Sequence, residues 1–257
     1  MLNMSLGLGL FLGGPDAVDS GSSEDGMLAV LDGAVGAAYD FTAGETLWTN
    51  TAPADDPAEI SDPVRQADDI GPNGADAVAL SDSRRPTRQA SGVLFGPGAV
   101  LSRSLSATNP YMFVCFKWDA VATGSQSVVS ELTYNGSNNG AIGIYRSGTS
   151  LLLTVGYGGS FTATGTIAEG PCVVSVQFDT SDATTPWAAR VNGSPLALTP
   201  GTDNRSSTGN ILQTDFHFGG RGSGTMASLS TFGRYFVARK LVSGGEIPAV
   251  EAWADGA

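Results

Sequence analysis

Aromatic side chains stand beside amide and guanidinium groups at several points of this sequence. Tyr134, Tyr157 and Trp187 occur at the ends of apolar runs, with Asn135, Asn138, Asn139, Arg146 and Arg221 as polar company. An aromatic face stacks on the C–H side of a sugar ring while amides and guanidinium groups meet its hydroxyls, so this mixture is the chemistry of a carbohydrate contact. Tyr134, Tyr157, Trp187 and Arg221 are the residues expected to make one. Acid–base and nucleophilic chemistry has thinner support. His217 is the single histidine; lying between Phe216 and Phe218 it reads as a strand residue that faces outward or is satisfied at a sheet edge. No Gly-x-Ser-x-Gly elbow accompanies it. The run Gly219-Gly-Arg-Gly-Ser-Gly224 lacks the Lys-Ser/Thr ending of a phosphate cradle and reads as a hairpin connection. Cys115 and Cys172, the two cysteines, each sit inside an apolar run and read as small buried hydrophobes.

Short strands must position these residues. From Ser91 onward, apolar and polar residues alternate in brief runs, among them Pro110–Ala120, Ser127–Tyr134, Ala141–Tyr145, Leu151–Tyr157, Ser160–Thr166, Cys172–Phe178, Asp215–Phe218 and Met226–Ala238. Asn135-Gly, Asn139-Gly, Ser147-Gly, Gly158-Gly and Asn192-Gly separate them, dipeptides that accept positive φ and close hairpins. With 35 glycines and only 15% charged residues in 257, the expected fold is an all-β antiparallel sandwich. One helix is expected at the end of the chain, opened by Ser243-Gly-Gly-Glu246 in the spacing of a capping box. Residues 1–45 read as an N-terminal arm. Within it Leu6, Leu8, Leu10 and Leu12 alternate with Gly7, Gly9 and Phe11 as a strand with one apolar face, which is expected to dock on a partner. No basic n-region or small-x-small cleavage site marks this segment as a signal peptide, and it is too short to span a bilayer. Residues 46–257 form the sandwich, approached through an irregular Pro/Asp-rich stretch over 46–90.

Charge narrows the partners. The formal net charge is −12, and Lys117 and Lys240 are the only lysines. Binding to nucleic acid rests on Lys/Arg neutralisation of phosphate, so nucleic acid is excluded as a partner, and so is adsorption to anionic lipid. No membrane insertion is expected.

Trp187-Ala-Ala-Arg-Val-Asn-Gly-Ser-Pro-Leu196 resembles the "yVNG" hairpin of laminin-G-type, concanavalin A-like domains. Phe216-His-Phe-Gly-Gly-Arg221 and Phe232 to Ile247 are similar to their last two strands. Asp62 to Ala79, followed by Arg85-Pro-Thr87, resembles a segment that precedes the first sandwich strand in bacteriophage virion proteins. The resemblance covers roughly residues 40–257 and implies a concanavalin A-like jelly roll. Glucanases of that fold carry Glu-x-Asp-x-x-Glu, two carboxylates facing one cleft; none of Glu24, Glu45, Glu59, Glu131, Glu169, Glu246 and Glu251 has that spacing. Ca²⁺ is the ion the family most often holds. Asp179, Asp182, Asp203 and Asp215 are the residues it would use, but no EF-type loop is present, so solvated aspartates and no cofactor are expected. The function expected on these grounds is a non-enzymatic virion surface subunit: a fibre, spike or decoration protein. It would dock to other virion proteins through the N-terminal leucines, form a trimer or ring, and meet cell-surface glycans. A secreted carbohydrate-binding module and a divergent glycoside hydrolase are the alternatives.

Overall fold

The computed structural model describes residues 23–51, 56–121, 123–132, 141–221, 226 and 228–256, with the side chains of residues 123–126 left aside. In chain order the elements are α1 (Ser23–Leu31), β1 (Gly36–Asp40), β2 (Leu47–Trp48), β3 (Gln66–Ala67), β4 (Ala77–Ala79), β5 (Thr87–Gln89), β6 (Gly92–Leu94), β7 (Leu101–Ser104), β8 (Tyr111–Ala120) and β9 (Thr123–Leu132). They continue as β10 (Ala141–Gly148), β11 (Ser150–Gly156), β12 (Ser160–Thr166), β13 (Gly170–Asp179), β14 (Trp187–Val191), β15 (Ser194–Pro195), β16 (Thr199–Pro200), β17 (Asp215–Phe218), β18 (Thr231–Ala238) and α2 (Ile247–Asp255). Among the described residues these strands make two antiparallel sheets. Sheet one runs β15-β14-β13-β8-β18-β6-β5, with β1 sharing the second edge of β18; sheet two runs β16-β12-β11-β10-β9-β17-β7-β4-β3-β2. The expected β-sandwich is the observed one.

Alternation explains the layers. Phe116, Trp118, Phe232 and Tyr235 of sheet one point inward onto Phe216 and Phe218 of sheet two, all nearly or fully buried. Phe116 and Tyr235 stack at 5.2 Å, and Phe218 meets Tyr235 edge-on at 4.7 Å. Such aromatic pairs add about 1 kcal/mol each beyond the area they bury. The last long strand begins later than the apolar run suggests. Met226 and Leu229 carry positive φ (56° and 54°), which interrupts a ladder that starts only at Thr231.

The outer face of sheet one is also apolar. Phe113, Cys115, Val173 and Phe236 are covered there by Met27, Val30 and Leu31 of α1 and by Val250, Trp253 and Ala254 of α2. Helix α2 begins where expected. The Glu246 carboxylate accepts the Ser243 N–H at 2.7 Å, and Gly256 at φ 89° ends the helix. Cys115 and Cys172 are buried free thiols; burial pushes the Cys172 thiol up to about 11.

One expectation is corrected here. The arm does not extend to residue 45: β1 pairs with β18 from Gly36↔Ala238 to Asp40↔Arg234, and Tyr39 is fully buried in the main core. An alternating strand with an aromatic inside has more to gain within the sheet than in solvent. Leu6, Leu8, Leu10 and Leu12 lie outside the described residues. The segment Asp62–Ala79, read above through a virion resemblance, has a structural purpose. Asp69 accepts the backbone N–H groups of Ala38 (2.8 Å), Gly71 (2.8 Å) and Ala75 (2.9 Å), tying β1 to the turn before β4. Asn73 donates to the carbonyls of Ala34 and Gly36. Asp69→Ala is therefore expected to lower stability by about 2–3 kcal/mol, because three donors lose one acceptor group. Thermal unfolding of the variant beside Asp69→Asn, which keeps one acceptor oxygen, measures this.

Candidate functional site

Helices α1 and α2 cover the outer face of sheet one; among the described residues neither packs on the outer face of sheet two. Its register places one residue from each of nine strands in a line. Trp48 pairs with Gln66, Gln66 with Val78, Val78 with Ser102 and Ser102 with His217. His217 then pairs with Glu131, Glu131 with Gly143, Gly143 with Thr154 and Thr154 with Thr162. Cross-strand partners project from the same side of a sheet. The flanking residues Leu101, Leu132, Ile142, Phe216 and Phe218 are core, so this row lies on the outer side. Strands are about 4.8 Å apart, and the row is on the order of 38 Å long.

Its centre is a compact polar group. A Cβ at Gly143 would lie 2.3–2.5 Å from the ring atoms of Tyr145, so the glycine is what lets that ring lie across the sheet. The Tyr145 hydroxyl then donates to Glu131 Oε2 at 3.3 Å, and Arg221 Nε donates to the same oxygen at 3.3 Å. Glu131 is 95% covered, whereas the Arg221 side chain is 40% exposed. Burial, and then the Glu131 charge, push the Tyr145 phenol up to about 12. On the other side of Glu131, Ser102 Oγ lies 2.6 Å from His217 Nδ1. Desolvation pulls His217 down to about 4 against the weaker pull of Asp215, so the imidazole is neutral at physiological pH. At the β2 end the Trp48 indole donates to Asp68 Oδ2 at 2.7 Å. The Gln66 amide spans Asp68 and Asp76 at 3.0 and 3.2 Å.

Of the residues expected to contact sugar, Arg221 is at this face. Tyr134 lies outside the described residues. Tyr157 and Trp187 are core: the Tyr157 hydroxyl donates to the Asn210 carbonyl, and Trp187 packs on Phe161 with ring centroids 4.6 Å apart. Alternation already pointed that way, since Tyr157 shares its phase with Leu151, Leu153 and Val155, and Trp187 with Ala189. Arg146 is fully buried too, its guanidinium 5.3 Å from the Trp118 ring centroid. The same phase marks Tyr145, opposite to Ile142 and Ile144, as outward. Trp48, Ser102 and Glu131 were also missed, because only the register joins them. The loop aspartates serve their own turns. Asp179 accepts from Ser181, Asp203 pairs with Arg205 at 2.9 Å, and Asp182 is held at about 2 by the N–H groups of Thr185 and Thr184; Asp215 stands exposed on β17. Among the described residues no three His, Cys, Asp or Glu side chains are grouped to hold a metal.

No protein-family model and no curated protein matches the sequence. Solved structures do share the fold. Trypanosoma rangeli sialidase aligns over 85% of this chain with a TM-score of 0.57 and 15% identity. Its complex with sialic acid aligns equally far at 0.56 and 14%. A GH54 α-l-arabinofuranosidase soaked with a cyclic sulfate inhibitor aligns over 74%, at 0.52 and 13%. The chain spans only 32% of the sialidase and 50% of the arabinofuranosidase. These likenesses overturn the expectation of a non-enzymatic virion surface subunit. The architecture recurs in chains named as glycosidases, so it supports neither the virion assignment nor the exclusion of catalysis.

Proposed function

We propose that the chain is a carbohydrate-binding β-sandwich module that receives a neutral glycan across the outer face of sheet two. The observation that carries this reading is the transverse row from Trp48 through Gln66, Ser102 and Glu131 to Gly143, with the Tyr145 ring laid over Gly143 and Arg221 bonded to Glu131. Sugars are bound by this combination of aromatic faces and short polar groups. Neutral glycans suit it, because the Arg221 charge is met by Glu131 and the β2 end is lined by Asp68 and Asp76. The similarity of Trp187–Leu196 to a laminin-G-type hairpin supports a concanavalin A-like module, and the fold shared with glycosidases supports a glycan-facing role. Secretion fits a ligand found outside cells.

A glycan array carrying neutral and sialylated oligosaccharides, probed at low and at physiological salt, tests the proposal. Neutral glycans should bind with little dependence on salt. Trp48→Ala and Tyr145→Ala should each weaken binding by about five- to tenfold, the size of one lost stacking contact. Absence of neutral-glycan binding by the intact protein refutes the reading.

A further inference from the structure

Ser102 and His217 have a relation that sugar binding does not call for. They are cross-strand partners on β7 and β17, on the outer face, and their Oγ and Nδ1 atoms are 2.6 Å apart. The imidazole is 94% covered while Ser102 remains partly exposed. A hydroxyl offered to solvent and held against a desolvated imidazole is the pairing of a nucleophile with its general base. Two carboxylates face that imidazole: Asp215, two residues along β17, and Glu131, its partner on β9. Glu131 Oε2 is engaged by Tyr145 and Arg221, which leaves Ser102 and His217 as a dyad.

We propose that Ser102 and His217 form an acyl-transfer dyad that hydrolyses carboxylic esters, with O-acyl groups on the glycan held by this face as the substrate. Only that choice of substrate rests on the glycan-binding reading. In the first half-reaction Ser102 Oγ forms a bond to the acyl carbon as its proton passes to His217 Nδ1. The C–O bond to the sugar breaks, and the proton on His217 goes to the departing sugar oxygen. Water then attacks the acyl-serine, again giving its proton to His217. The carboxylic acid leaves, and Ser102 recovers its proton. The imidazole is already unprotonated at neutral pH, and Asp215 favours the positive charge it carries in each transition state.

A fluorophosphonate probe and p-nitrophenyl acetate test the chemistry without any glycan. The intact protein should be phosphonylated on Ser102, located by peptide mass, and should release p-nitrophenolate above the buffer rate. Ser102→Ala and His217→Gln, with unchanged circular dichroism, should each lower the release above background by about 100-fold or more. No labelling of the intact protein, or equal turnover by Ser102→Ala, overturns the dyad. Ester turnover without glycan binding on the array retains the dyad and removes the glycan reading. Glycan binding without labelling does the reverse.

Discussion

Arg239→Met is expected to destabilise the sandwich by about 4 kcal/mol, through loss of a buried cation that serves four carbonyls at once. Arg239 is 2% exposed, near the end of β18. Its Nη1 donates to Leu105 (2.9 Å) and Gln213 (3.1 Å), and its Nη2 to Ala107 (2.7 Å) and Ile211 (2.9 Å). One planar group thus closes the two connections that flank β7 and β17. Desolvation lowers its pKa to about 10, which still leaves it charged at pH 7. Methionine fills the volume of the stem and satisfies none of the carbonyls. Arg239→Lys should recover little, since an ammonium has three donors and no planar fork. Urea titration should show a lower midpoint at constant slope. A loss under about 1 kcal/mol would mean that water replaces the guanidinium and that the clamp contributes little.

The second large effect is acid sensitivity centred on His217. Its pKa in the fold is about 4, against the ordinary imidazole value of 6.5. The unfolded chain therefore takes up a proton that the fold resists. This contribution is fully present above pH 6.5, is lost as pH falls, and is gone below about 4. The shift corresponds to about 3 kcal/mol. Other groups facing the imidazole are Asp215 on its own strand, Glu131 on β9, and Arg221 and Tyr145 beyond it. Asp182, held at about 2, adds a separate loss at lower pH. Denaturant titrations between pH 7 and pH 4 should show His217→Gln losing about 3 kcal/mol less than the parent. Parallel curves for the two proteins would show that the imidazole protonates without cost.

The sandwich was legible in the sequence because its strands announce themselves locally. Phe161 and Ala163 alternate with Ser160, Thr162 and Thr164, and Asn192-Gly turns the β14–β15 hairpin with φ 49° and 75°. The candidate site was not legible in that way. Ser102, Glu131 and His217 are far apart in the chain and become neighbours only through the order β9-β17-β7, which no local pattern encodes. Tyr157 and Trp187 lie in the core for a different reason. Aromatic type and nearby asparagines carry no strand phase, and phase sends Tyr157 and Trp187 inward and Tyr145 outward.

The pairing of β1 with β18 also governs when this chain can fold. Gly36 has its partner at Ala238, and β8 lies between β13 and β18. Sheet one therefore has no finished centre until Ala238, some 200 residues after Gly36, has emerged from the ribosome. At roughly 5–20 residues per second, β1 waits on the order of 10–40 s for its neighbour. During that interval the apolar faces of α1 and β8 stand uncovered, and loop closure between distant segments must precede any reward from their contacts. Slow refolding, strong dependence on protein concentration and benefit from a chaperone follow from this topology. A circular permutant that joins α2 to α1 and opens at the Asn192-Gly193 turn would shorten the wait and relieve all three.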